Sequence, residues 1–248
     1  METGLIIALA VLAALGAAAW TFYAKKKRRE ELLFVATQLG LSYSAGDTRG
    51  CLGYPFALLQ RGDGRGAENS LSGTWQGLDL VEFDYWYYTE STDSKGHESK
   101  TYHRFSCAVT EVDVALSPLT IERENFLTRL ADAVGLDDIA FETQEFNDAF
   151  DVRSKDRKFA NDFVDQRMMA WLLSTPSDFS FETCGKWLLC YSDRRRPMDL
   201  IPLLGTLKRF RDQVPRVVYD LYRVGPRPDP FQRPPEQPGT PPEPEGRY

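Results

Sequence analysis

"TWQGLDLVEFDYWYYT", residues 74–89, is the stretch whose reading decides the fold. Val81, Phe83, Tyr85 and Tyr87 alternate with Glu82, Asp84, Trp86 and Tyr88. A strand puts successive side chains on opposite faces, so alternating β-branched and aromatic residues predict a strand with an apolar inner face. The outer face mixes two acids with two large rings. A polar run follows over residues 90–100, and then "TYHRFSCAV", residues 101–109, alternates again. Two such runs around a connection containing Gly96 predict a β-hairpin. Its connection of eleven residues is long against the usual two to five.

Five aromatics in "EFDYWYY", residues 82–88, invite comparison with a platform for stacking bases. Such platforms interleave their rings with Lys and Arg, whereas here Glu82 and Asp84 stand between them. Phe83, Tyr85 and Tyr87 therefore read as core. Trp86 and Tyr88 are left as the candidate interaction face, turned toward a second layer or a partner.

The rest of the chain supports that choice. Taking Lys25, Lys26, Lys27, Arg28, Arg29 and Glu2 from the 30 basic and 36 acidic residues leaves 25 and 35, a net charge of −10 over residues 30–248. An acidic body has no broad attraction for phosphate backbones, so nucleic acid is excluded as a partner. The one basic run in the body, Arg194 to Arg196, is read as a solvated turn. Hydrophobic content of 42% and charged content of 27% are globular proportions that predict a packed core.

Upstream, "GLIIALAVLAALGAAAWTFY", residues 4–23, runs twenty residues without a charge. At about 1.5 Å per residue such a helix spans the roughly 30 Å of a hydrocarbon core. Trp20 and Tyr23 stand at its end, where amphipathic rings favour the headgroup layer. Positive charge follows the run instead of preceding it, which speaks for an anchor and against a cleaved signal peptide. Lys25, Lys26, Lys27, Arg28 and Arg29 are then the topology determinant, with the N-terminus outside and the body in the cytoplasm. The lipid bilayer is thus one partner, through the N-terminal helix.

Further along, "EELLFVATQL", residues 30–39, has helical periodicity with Gly40 as its stop. The membrane helix is free to continue into it. "GYPFALLQ", residues 53–60, reads as a strand, and "RGDGRG", residues 61–66, as a loop without the Lys-Ser or Lys-Thr of a phosphate-binding loop. A helix is expected over residues 124–135. Residues 139–143 read as a short strand, and residues 158–173 as one amphipathic helix. "DFSFETCGKWLLCYSD", residues 178–193, reads as a second hairpin turning at Gly185-Lys186. Residues 199–222 read as a helix with Pro202 in its first turn, interrupted at Pro215. Residues 225–248 hold nine prolines in 24 residues, a composition expected of a disordered tail.

Chemistry is sparse. His97 and His103 lack the spacing of a helical metal pair, and HExxH, GxSxG and GxGxxG are absent. Cys51, Cys107, Cys184 and Cys190 include no CxxC and read as buried small hydrophobes. Cys107 with His103 is the nearest approach to a nucleophile and base, but no third orienting group accompanies them. No catalytic, cofactor-binding or metal residue is assigned, and no cofactor is expected.

The segment "IAFETQEFNDAFDVRSKDRKFANDFVDQRMMAWLL", residues 139–173, resembles a pattern of bacterial membrane-anchored proteins similar to the DUF3137 group. Phe141, Glu142, Phe146, Asn147, Phe150, Val152, Asp156, Ala160, Met168, Met169, Trp171 and Leu172 carry the match. The resemblance extends over residues 1–222. It implies a bacterial inner-membrane protein with a cytosolic α+β domain, and no reaction. Read physically, Asn147 satisfies backbone groups in its turn and Asp156 is an N-cap.

The expectation is an α+β chain: a single N-terminal transmembrane helix, then a cytosolic domain of antiparallel hairpins packed with helices. Its divisions are a short N-terminus (1–3), the transmembrane helix (4–24), a basic collar and juxtamembrane helix (25–40), the domain (41–223) and a Pro-rich tail (224–248). The function expected is a membrane-tethered cytosolic binding or scaffold module of unknown partner, a protein being one candidate. The alternatives are an enzyme with a non-obvious active site and a membrane-surface sensor.

Overall fold

The computed structural model describes residues 2–92, 96–123 and 136–223, with the side chains of residues 2–8 and 10 left aside. The expected helix at 124–135, the Pro-rich tail and the centre of the 90–100 connection lie outside the described residues. The fold is α+β, with one antiparallel sheet and helices packed on it.

The chain opens with a single unbroken helix, α1 (Glu2–Leu39). It stops at Gly40, whose φ of 70° is open to glycine at little cost. The Leu41 N–H then bonds the Ala36 carbonyl at 2.8 Å and the Gly40 N–H bonds Thr37 at 3.3 Å, the paired closure of a left-handed cap. Among the described residues no helix is long and apolar enough to cross a membrane. The apolar run of the sequence begins at Gly4, partly among side chains outside that set.

The strands are β1 (Ser42–Gly46), β2 (Gly64–Trp75), β3 (Leu78–Thr92), β4 (Glu98–Arg123), β5 (Asp137–Asp138), β6 (Phe150–Ser154) and β7 (Ser180–Asp193). They pair in the order β1-β2-β3-β4-β6-β5, with β7 also on β4. β4 is the spine. One edge pairs with β3 and then with β6, and the other carries β7 along most of its length.

The hairpin of β3 and β4 forms as the alternation predicted, with Leu80 opposite Thr110 and Thr92 opposite Glu98. Its connection is shorter than the polar composition implied. Glu90, Ser91 and Thr92 pair with Lys100, Ser99 and Glu98, so the strands climb into the run read as loop. Strand β3 begins at Leu78, because Gln76 and Gly77 (φ 49° and 76°) form a two-residue turn from β2. Strand β2 itself was hidden in glycine-rich sequence that reads as loop.

Three other expectations change. Residues 53–60 are no strand: they hold two short 3-10 turns, Cys51–Gly53 and Leu58–Gln60. The Glu182 carboxylate accepts the Ala57 and Leu58 N–H groups at 2.6 and 2.9 Å, satisfying donors that a strand ladder would otherwise need. Residues 180–193 are one strand and no hairpin, because both halves pair with β4 on either side of an irregularity. Gly185, at φ 61°, supplies the bend. The edge near residue 139 is the two-residue β5, with the Ile139 N–H bonding the Val152 carbonyl at 2.8 Å.

The helices on the far half are α2 (Gln144–Ala149), α3 (Arg157–Phe163), α4 (Gln166–Ser174), α5 (Leu200–Gln213) and α6 (Arg216–Leu221). Residues 158–173 are thus two helices. Asp165 interrupts them by accepting the Met168 N–H at 2.8 Å as the cap of α4. Asp156 caps α3 through the Phe159 N–H at 2.9 Å, as its position predicted. Asn147 exchanges two hydrogen bonds with the Phe141 backbone. Pro215 separates α5 from α6.

Two cores result. The larger lies between the helices and β4, β6 and β7, and takes in Leu32, Val35 and Ala36 of α1. The smaller lies on the opposite face of the near half of the sheet. There Phe83, Tyr85 and Tyr87 meet Phe105, Cys107, Leu189 and Tyr191 under a cover of Phe56, Leu58 and Leu59.

Candidate functional site

The alternation that buries Phe83, Tyr85 and Tyr87 turns Glu82, Asp84, Trp86 and Tyr88 to the other face of β3, where α1 crosses the sheet. Asp84 is the centre of a buried cluster. Arg28 of α1 donates to it twice, from Nε at 2.7 Å and from the guanidinium tip at 2.5 Å, and also donates to the Arg195 carbonyl at 2.7 Å. Asn69 donates at 2.9 Å and Arg194 at 3.3 Å. Asn69 can reach because it sits at φ 57° in an irregularity of β2, and it accepts in turn from the Tyr43 hydroxyl at 2.9 Å.

Beside this cluster is Glu82, fully buried, with neither carboxylate oxygen bonded. Burial, with Asp84 as a neighbouring negative charge, holds Glu82 well above the ordinary carboxyl range.

The cluster changes the reading of two basic runs. Arg28 belongs to the expected topology determinant, yet its side chain is only 13% exposed and committed to Asp84. Lys25, Lys26, Lys27 and Arg29 are exposed. Arg194 to Arg196 are no solvated turn. Arg194 pairs with Asp84, and Arg195 bonds Ser192 and Asp178, so that Arg196 alone is largely in solvent.

Toward the hairpin tip the same face becomes aromatic. Trp86 and Tyr88 stack at 6.4 Å between ring centroids, and Tyr102 of β4 lies 5.4 Å from Tyr88 and 5.9 Å from Trp86. Trp86 lies opposite Gly66 of β2 and Tyr88 opposite Gly64. A Cβ on either glycine would come within 2.6 Å of the ring, so the rings rest directly on the backbone. Both are therefore half-buried, while Tyr102 is 50% exposed. Lys100 stands 4.4 Å over the Tyr88 ring, and Arg104 stands 5.6 Å from that of Tyr102. The two rings left open by the sequence thus have a third partner and two cations.

A second buried ion cluster lies on the opposite face. Glu122 accepts from Arg61 at 3.1 Å and from the Tyr191 hydroxyl at 2.5 Å. Burial, with Glu122 adding negative charge, pushes Glu182 up to about 8 against the pull of Arg61 and two backbone donors. This cluster clamps residues 51–61 onto the sheet.

Cys107 and His103, the nearest approach to a nucleophile and base in the sequence, do not come together. Cys107 is fully buried, and burial holds its thiol well above the ordinary value. Burial likewise pushes Cys51 up to about 12. His103 stacks on Tyr87 at 4.7 Å, and lies four residues from Cys107, about 13 Å along a strand. Among the described residues no group of three or more His, Cys, Asp or Glu is arranged to hold a metal. An open groove of about 570 Å³ lies between Trp75, Phe179 and the Ile201–Arg209 side of α5, away from both clusters.

No protein-family model matches the chain. No curated protein matches it either. Among solved structures, the crystal structure of the mycobacterial trehalose monomycolate transport factor A, TtfA, has a similar fold. The TM-score is 0.56 at 14% identity, over 81% of this chain and 98% of that one. The likeness establishes a shared fold.

Proposed function

We propose that this chain is a single-pass membrane protein whose cytoplasmic α+β domain is a binding or scaffold module. The observation that carries the reading is the Arg28–Asp84 contact within an unbroken α1. An anchor on a flexible linker would need no such contact. Here helix and sheet are one body, so the apolar run of residues 4–23 would hold the domain at a fixed angle to the bilayer. The exposed Lys25, Lys26, Lys27 and Arg29 favour the cytoplasmic side for the domain. The resemblance to the DUF3137 group supports a bacterial inner membrane, and the structural likeness to a transport factor is in keeping with a membrane role. A protein partner is the ligand class favoured by a rigid domain in which Cys51, Cys107 and Cys190 are buried.

Fractionation tests the anchor. The full chain should stay with membranes through an alkaline wash, and a chain lacking residues 2–23 should be released. A full chain released by the wash sinks the reading. A periplasm-dependent reporter at the C-terminus should be silent, and its activity would reverse the orientation. Cross-linking in intact membranes, followed by purification through the domain, should recover a protein partner.

A further inference from the structure

The helix and the hairpin leave the sheet at the same end, and two contacts fix this. Just past the C-terminus of α1, Leu41 lies against Gly73 of β2, the cross-strand partner of Leu80. Farther back along the helix, Arg28 reaches Asp84, four residues farther along β3. Travelling up α1 toward its N-terminus is therefore travelling along β3 toward the hairpin tip.

Beyond the Arg28–Asp84 contact each element carries two aromatics toward that end. Trp86 and Tyr88 follow Asp84 on the same face of β3, about 7 and 13 Å farther along the strand at about 3.3 Å per residue. Tyr23 and Trp20 precede Arg28 on α1, about 7.5 and 12 Å farther up the helix at about 1.5 Å per residue. Both pairs lie on the hairpin-tip side of the contact.

We propose that Trp86, Tyr88 and Tyr102, with Lys100 and Arg104, form a second contact with the lipid headgroup layer beside α1. The proposal rests on the reading that α1 spans the bilayer. Trp and Tyr favour that layer because one part of each ring system is apolar and another hydrogen-bonds. Lys100, which also pairs with Glu90 at 2.9 Å, and Arg104 carry their charge on long stems next to the rings. The acidic body would not seek a bilayer unaided. Tethering by α1 raises the local concentration of lipid so that a weak contact suffices. Glu90 and Glu98 exclude the tip itself from hydrocarbon, so the hairpin axis must lean away from the membrane normal.

The test uses the full chain in lipid vesicles carrying a headgroup-attached nitroxide quencher. Cys184→Ser removes the one half-buried thiol. A fluorophore is then placed at Glu98→Cys, on the same face of β4 as Lys100 and Tyr102, or at Lys186→Cys, which pairs with Glu111 at the other end of the sheet. The label at 98 should be quenched severalfold more than that at 186. Replacing Trp86, Tyr88 and Tyr102 together by Ser should abolish the difference. Equal quenching at both sites in a chain that floats with the vesicles overturns the hairpin contact alone. So does quenching that survives the triple replacement. A label unquenched in pure lipid but shielded in native membranes gives the surface to a protein and overturns the lipid contact. A chain that does not float overturns the anchor and this contact together.

Discussion

Arg28 and Asp84 lie 56 positions apart and are joined by two hydrogen bonds through side chains only 13% and 3% exposed. A lone buried carboxylate is costly, and here α1 supplies the strongest compensation. Arg28→Met should destabilise the domain by about 3–5 kcal/mol, the usual cost of removing one partner from a buried pair. Urea unfolding of the full chain measures it. Arg28→Met combined with Asp84→Leu should recover much of the loss, and a double variant as unstable as the single one would refute the pairing's role.

Glu82 and Glu182 predict an unusual pH dependence. Both carboxyls are raised by burial, Glu182 to about 8. The folded state keeps protons that the unfolded chain releases above its ordinary value of 4.5. Stability from these groups is present below that value and is lost as pH rises toward the folded value, at up to about 1.4 kcal/mol per unit for each group. Glu82→Gln removes its share. The variant should match the parent near pH 4 and gain on it as pH rises above the ordinary carboxyl value of 4.5. Chemical denaturation across that range is the measurement, and a gap that shrinks with rising pH would contradict the assignment.

Gly66→Ala should lift the Trp86 ring, whose nearest atom would lie 2.6 Å from the new Cβ. Overpacking of this kind costs about 1–3 kcal/mol. Trp86→Val should relieve it, so the two changes together should melt above Gly66→Ala alone. Additive losses would mean that the ring does not rest on the glycine.

Gly185→Ala tests the left-handed backbone in β7. Its φ of 61° is strained for alanine, although open space surrounds the position. A loss of about 1–2 kcal/mol is expected from the left-handed backbone. Asn, which tolerates that region better, should lose less. Equal losses for the two variants would point to a cause other than backbone strain.

These residues also mark what the sequence made legible. The β3–β4 hairpin was legible because Phe83, Tyr85 and Tyr87 share one wet-to-dry alternation with residues 101–109, and period two is a local signal. Asp156 and Pro215 were legible for the same reason, since capping and ring geometry act within a few residues. Gly185-Lys186 looked like a turn because a left-handed glycine serves a bend and a turn equally, and only pairing with β4 separates them. Asp165 was read into one helix because its capping role depends on where the chain breaks. Strand β2 was missed because Gly64 and Gly66 weaken its pattern, and their purpose lies in the rings of another strand. The Asp84 cluster had no local signature: its members come from α1, β2, β3 and the end of β7, and acids alternating with aromatics read as surface.

The position of Arg28 inside the basic cluster decides where a soluble fragment of this protein can begin. A boundary drawn after residue 29, where composition turns from basic to mixed, would remove the cation that neutralises Asp84. Such a fragment would keep the core residues Leu32, Val35 and Ala36 of α1 but leave Asp84 buried without its Arg28 partner. A start at Lys25 discards the apolar run and keeps the contact. Solubility and integrity therefore part company within four residues of one helix.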